Sequence, residues 1–204
     1  MKENRCMKLF TAAIALMMFG STMAAAPVMQ KRENVDATRI NLKIRRLQLV
    51  DQLLPVLMTP AQLKAILPAV EKARQQEVDL EARELRELKA IEVDLDKELK
   101  AAIEKGILPS DEIDAKLAKL TEVFKLGRQV LVGSNVNAIL TAMKANLSEG
   151  QLKAAAGSLN PLILNPNADP AAMSQDDKLR AWIQLVLLDR AVYDLLVEMS
   201  LKKD

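Results

Sequence analysis

From Ala69 to Lys105 the chain runs for 37 residues without a glycine or a proline. No part of that stretch alternates apolar and polar residues over strand length, so the regular element it can form is a helix about 55 Å long. A helix of that length needs a long partner, and the next segment supplies one. Gly106 gives a C-terminal stop, Pro109 breaks the chain, and Ser110 with Asp111 and Glu112 restarts it with a cap and an acidic first turn. Ile113, Leu117, Leu120, Phe124, Gly127, Leu131, Ala138 and Ala142 then trace a stripe to Asn146. Two helices of nearly equal length joined by about four residues are expected to fold back as an antiparallel hairpin.

The flanking segments read the same way. Thr59, Pro60, Ala61 and Gln62 spell a helix start, with Thr59 as cap and Pro60 at the first helical position, where no amide is missed; Pro68 is expected to kink the helix about two turns later. Upstream, a polar stretch to Asn34 is expected to be irregular. A first helix is expected from Asp36 to Leu54, facing the core with Ile40, Ile44, Leu47, Val50 or Asp51, and Leu54, and ending at Pro55. Ser148 opens a short helix that ends at Gly157, a Pro/Asn-rich loop covers 158–173, and Ser174 caps a last helix over Gln175–Lys202. Its core face is Leu179, Ile183, Val186, Ala191 or Arg190, and Leu195, and the mid-helix charges Asp189 and Arg190 argue against a membrane span. The fold class is therefore all-α: a long antiparallel hairpin (59–146) with an N-terminal helix, a short helix and a C-terminal helix packed on it, in a single domain over 27–204.

Residues 1–26 are set aside as a secretory signal peptide. Lys2, Arg5 and Lys8 precede an apolar run from Leu9 to Phe19 and then a small-residue stretch ending at Ala26. That run falls short of the roughly 20 residues of a spanning helix, so cleavage is favoured over an uncleaved anchor. Cleavage after Ala24 and after Ala26 both stay open. The one cysteine, Cys6, precedes the apolar run and so is not placed to carry a lipid. The expected location is periplasmic or secreted.

The leader carries three bases and one acid, and without it the remaining chain holds 26 basic and 26 acidic residues. A neutral chain with one Trp, one Tyr and three Phe has neither the basic field nor the stacking rings of a nucleic-acid binder. The chain has no histidine, which excludes histidine-based nucleophile activation and histidine metal ligation, and no phosphate-binding glycine loop is present. No cofactor or metal is implied, and the chain reads as a binding protein rather than an enzyme. The acidic clusters Glu81, Glu84, Glu87 and Glu92, Asp94, Asp96 interleave with Arg83, Arg86, Lys89, Lys97 and Lys100, which reads as a solvated, self-paired helix face.

Aligning the two capping boxes exposes an internal echo. Thr59-Pro60-Ala61-Gln62-Leu63-Lys64-Ala65 matches Ser148-Glu149-Gly150-Gln151-Leu152-Lys153-Ala154 at five of seven positions, counting Ser for Thr, and Met58 and Leu147 precede the two caps as apolar staples. One reading is that both are ordinary helix starts. The other is a family resemblance: a leader, an all-helical chain and two Leu-Thr-x-x-Gln-like motifs together resemble the Spy and CpxP family of periplasmic proteins. That resemblance implies a helical hairpin, pairing of two chains, and the holding of unfolded clients without ATP or a stress-signalling accessory role. It places the motif on Met58, Thr59 and Gln62 and on Leu147, Ser148 and Gln151, over about 35–155. Both copies depart from the pattern, by Met for Leu and by Ser for Thr. The separation of 89 residues is long for the family, and the helix from Gln175 has no counterpart there.

The first helix is basic, with Arg39, Lys43 and Arg46 beside Ile40, Ile44 and Leu47. Such a helix either docks its apolar face and solvates the other, or offers a surface to acidic partners, unfolded chains or anionic lipid headgroups. Met58, Met143, Met173 and Met199 fall in apolar stripes and read as core fillers before they read as a client groove. Two functions remain: an ATP-independent envelope chaperone or stress accessory, and a coiled-coil adaptor for another envelope protein.

Overall fold

The computed structural model describes residues 28–160, 163 and 169–202, with 28–34 described as helical backbone only. The expected leader lies outside the described residues, as do 161–162 and 164–168 of the proline-rich loop. The described elements are α1 (Val28–Leu53), a 3₁₀ turn (Leu54–Val56), α2 (Pro60–Lys105), α3 (Asp111–Asn146), α4 (Glu149–Gly157), α5 (Gln175–Trp182), a π turn (Ile183–Leu187) and α6 (Val192–Ser200). The chain is all-α, and α2 and α3 pack against each other along the hairpin. It divides into two units between Asn41 and Leu42, inside α1. The unit from Leu42 onward contains the core, both capping motifs and the hairpin, while the described side chains of the first unit, 35–41, are all exposed.

The helix starts are where the sequence places them. Thr59, Ser148 and Ser174 each accept from the backbone N–H three residues on, and in each the third residue's side chain accepts from the cap's own N–H. Ser110 caps α3, and its N–H and hydroxyl both donate to Glu98 at the end of α2, at 3.2 and 3.0 Å, which ties off the hairpin turn. Gly106 ends α2 at φ +64°, the left-handed conformation that a side chain disfavours. α2 continues through Pro68 for 46 residues in all, about 69 Å.

The core sits at the base of the hairpin. Leu49, Leu53 and Val56 meet Leu63, Ile66, Val70 and Ala73 of α2, and Val136, Ile139, Leu140 and Met143 of α3. Ala155 and Ala156 of α4 join them, as do Leu179, Trp182, Ile183, Val186, Leu187, Val192 and Leu196 from the C-terminal segment. Between Ala73 and Asn135 the buried positions of the two long helices are only Glu84 and Ile113, because two helices alone cannot enclose a seam.

Four expectations need correction. α1 begins at Val28 rather than Asp36, since the residues between carry no breaker and helix extends readily from the half that is docked. Its core face is Leu49 and Leu53, continued by Val56 of the 3₁₀ turn, while Ile40, Ile44, Leu47 and, in that turn, Leu54 are all at least half exposed. Leu49 and Leu53 are themselves spaced four apart, so α1 carries two apolar stripes and periodicity alone does not choose between them. The expected helix over Gln175–Lys202 keeps its core residues but is interrupted: the turn widens at 183–187, and a tight turn follows in which the Asp189 carboxylate accepts from Ala191 N–H at 2.8 Å before α6 begins. On α3 the buried stripe near the base runs through Asn135, Val136, Ile139, Leu140 and Met143 rather than Ala138 and Ala142, because α2 and the C-terminal segment both pack there.

Candidate functional site

The two sequence motifs, 89 positions apart, meet. Gln62 and Gln151 face each other through their side-chain amides: Gln62 Nε2 donates to Gln151 Oε1 at 3.0 Å and Gln151 Nε2 donates to Gln62 Oε1 at 2.9 Å. Each Nε2 also reaches the backbone just ahead of the other motif. Gln62 donates to the Asn146 carbonyl at 2.9 Å and Gln151 to the Leu57 carbonyl at 3.0 Å, in each case two residues before the cap. Each Oε1 accepts in addition from its own cap's N–H, Thr59 at 3.0 Å and Ser148 at 2.9 Å. Both donors and both lone pairs of both amides are thereby used. The N–H of each cap fixes which end of each amide is oxygen, and the arrangement is the same read from either motif.

Around this pair, Leu147 is buried, Met58 packs against the core from its edge, and Met143 is fully buried. Leu57, whose carbonyl Gln151 holds, is the one described non-glycine residue at positive φ, +53°. The pair therefore fastens the start of α4 to the start of α2 and holds the chain entering α2 in a strained conformation.

Farther out along the hairpin, charge replaces apolar packing. Glu84, 5% exposed, takes a bidentate contact from Arg128 of α3, with Nε at 2.9 Å and Nη2 at 2.5 Å. Arg190, from the turn before α6, reaches Glu77 at 2.9 Å and also Glu81. The hydrogen bonds to Glu84 and Glu77 raise the pKa of Arg128 and Arg190, respectively, against the opposing effect of burial. The acidic clusters are thus only partly a self-paired surface: Glu77, Glu81 and Glu84 hold other elements to α2. Arg74 lies over the Tyr193 ring at 5.2 Å, and desolvation together with Glu71 raises the Tyr193 phenol pKa, opposed by Arg74.

The residues read as a partner surface on α1 divide. Arg46 is paired within the fold, to Glu198 at 2.5 Å, and that hydrogen bond raises its pKa. Its neighbour Arg45, which sequence reasoning did not single out, binds Asp189 at 2.7 Å and donates to the Leu185 carbonyl at 3.2 Å. Arg39 pairs with Asp36, one turn earlier. Lys43, Ile44 and Leu47 stay exposed, as does Ile40.

A second exposed set lies on α2. Val78, Leu85 and Leu99 stand at multiples of seven, with Leu88 and Ile103 on the same side, and each is between 38% and 75% exposed. The sequence contains this stripe, but reading it as exposed required knowing that the C-terminal segment covers only the base of the hairpin. Among the described residues no cluster of three acidic, cysteine or histidine side chains could hold a metal ion, and no helix is long and apolar enough to cross a membrane.

No family model, no curated protein and no solved structure matches this chain.

Proposed function

We propose that this chain is an exported, ATP-independent helical chaperone or envelope-stress accessory, resembling the Spy and CpxP family, that holds apolar segments of unfolded proteins on the uncovered part of its hairpin. The observation that carries the reading is the reciprocal Gln62–Gln151 contact. It makes one paired structure of two motifs that could have been unrelated helix starts. The stripe Val78, Leu85, Leu88, Leu99 and Ile103 supports it as well, since apolar surface held in water on a stable scaffold is what a client's apolar segment can cover. The alternating charges beside that stripe keep such a surface soluble.

A single adaptor partner is the second reading, favoured by the heptad spacing of Val78, Leu85 and Leu99, which is the pattern that seats a matching helix. Two copies of this chain are one such pairing. The deciding experiment is light scattering of a reduced, unfolded test protein with and without the purified chain at equimolar ratio. Suppression is expected. If there is none, and one stoichiometric envelope protein co-purifies, the adaptor replaces the chaperone.

A further inference from the structure

α2, α3 and the C-terminal segment enclose a cleft of about 320 Å³, at the lower end of the size of small-ligand clefts. Val70, Leu131, Val132, Leu187, Leu188 and Tyr193 give it an apolar lining. The wall from the C-terminal segment is built by the π turn and the residues after it up to Tyr193; at the end of the π turn Leu188 N–H donates to the Ile183 carbonyl five residues back at 3.0 Å. The wider turn brings Leu187 and Leu188 to the cleft while Ile183 and Val186 stay in the core, and π turns recur at functional sites.

The charges at the cleft are mostly spoken for. Arg128 is held by Glu84, Arg190 by Glu77 and Glu81, and Asp189 by Arg45. Arg74 is the exception: it lies on the Tyr193 face, and among the described residues no carboxylate stands at ion-pair distance from it. A guanidinium held over a ring by its charge keeps N–H groups that can still donate.

We propose that this cleft binds a small amphipathic carboxylate, with its alkyl chain or ring against the apolar lining and its carboxylate on the Arg74 guanidinium. A cationic amphiphile would meet the one uncommitted positive charge, and a neutral one would forgo the charged hydrogen bonds. The site is separate from the uncovered hairpin stripe and stands whether or not clients bind there.

The test is calorimetric titration of the purified chain with decanoate, decanol and decyltrimethylammonium, each below its micelle concentration. Saturable one-to-one binding of decanoate, tighter than of the other two, is expected. Arg74→Gln, which removes an exposed charge and no core contact, should weaken decanoate roughly tenfold and leave decanol unchanged. Arg190→Gln, which frees Glu77 and Glu81 to repel the ligand, should also weaken decanoate. Thermal melts of both variants check that they are folded. The proposal is overturned if decanoate shows no saturable binding, if folded Arg74→Gln binds it as tightly as the parent, or if the ammonium amphiphile binds equally well.

Discussion

The side-chain amides of Gln62 and Gln151 donate to and accept from each other at 2.9 and 3.0 Å, although 89 positions separate them. Each residue also closes its own capping box, so one amide pair joins two helix starts and two preceding carbonyls.

Coupling between the two glutamines is the first expectation. Gln62→Ala or Gln151→Ala alone strands the partner amide and is expected to cost about 1–3 kcal/mol. The double variant should cost less than the sum by about 1 kcal/mol or more, read from urea unfolding midpoints. Additive losses would mean that the amides do not act together.

Thr59→Ala and Ser148→Ala address the caps themselves. Each should cost about 1 kcal/mol, as helix caps do. If the paired motif also positions the binding surface, the double variant should bind client less at temperatures where circular dichroism shows it folded. Unchanged binding by the folded double variant would reduce the motif to a pair of helix starts.

The Glu84–Arg128 pair should respond asymmetrically. Arg128→Ala leaves a carboxylate buried without its partner and is expected to cost about 2 kcal/mol or more. Glu84→Leu puts an apolar side chain in the hairpin seam and frees an arginine that is 63% exposed, so it should be nearly neutral. Equal losses in denaturant titrations would contradict the assignment of Glu84 to the seam.

The face that α1 buries is tested by two pairs of substitutions. Leu49→Ala or Leu53→Ala should cost about 2–5 kcal/mol, as deletion in a packed core does. Ile44→Ser or Leu47→Ser should stay within about 0.5 kcal/mol of the parent. Thermal melts with the reverse order would restore the face that periodicity suggested.

Helix starts were legible because each needs a particular side chain at a particular offset, and Thr59, Ser110, Ser148 and Ser174 all act as caps. The hairpin was legible from Gly106 and Pro109 between two breaker-free runs. The face of α1 was not, because Ile40, Ile44 and Leu47 form a helical stripe as regular as Leu49 and Leu53, and tertiary packing chose the second. The break after Trp182 was not legible either: no glycine or proline marks it, and the Asp189 carboxylate meets Ala191 N–H only once the turn before it has widened. Gln62 and Gln151 were visible as copies of one motif, but a sequence echo carries no distance, and their contact is a product of the fold.

The most direct measurement is suppression of aggregation of a reduced, unfolded test protein by the chain carrying Leu85→Ser, Leu99→Ser and Ile103→Ser together. All three positions are more than half exposed, so the triple variant should unfold at nearly the parent's denaturant midpoint. Suppression by the parent at equimolar ratio, largely lost in the folded triple variant, is the expected result. A triple variant that suppresses aggregation as fully as the parent, or a parent that does not suppress it at all, would contradict the claim that the uncovered hairpin holds clients.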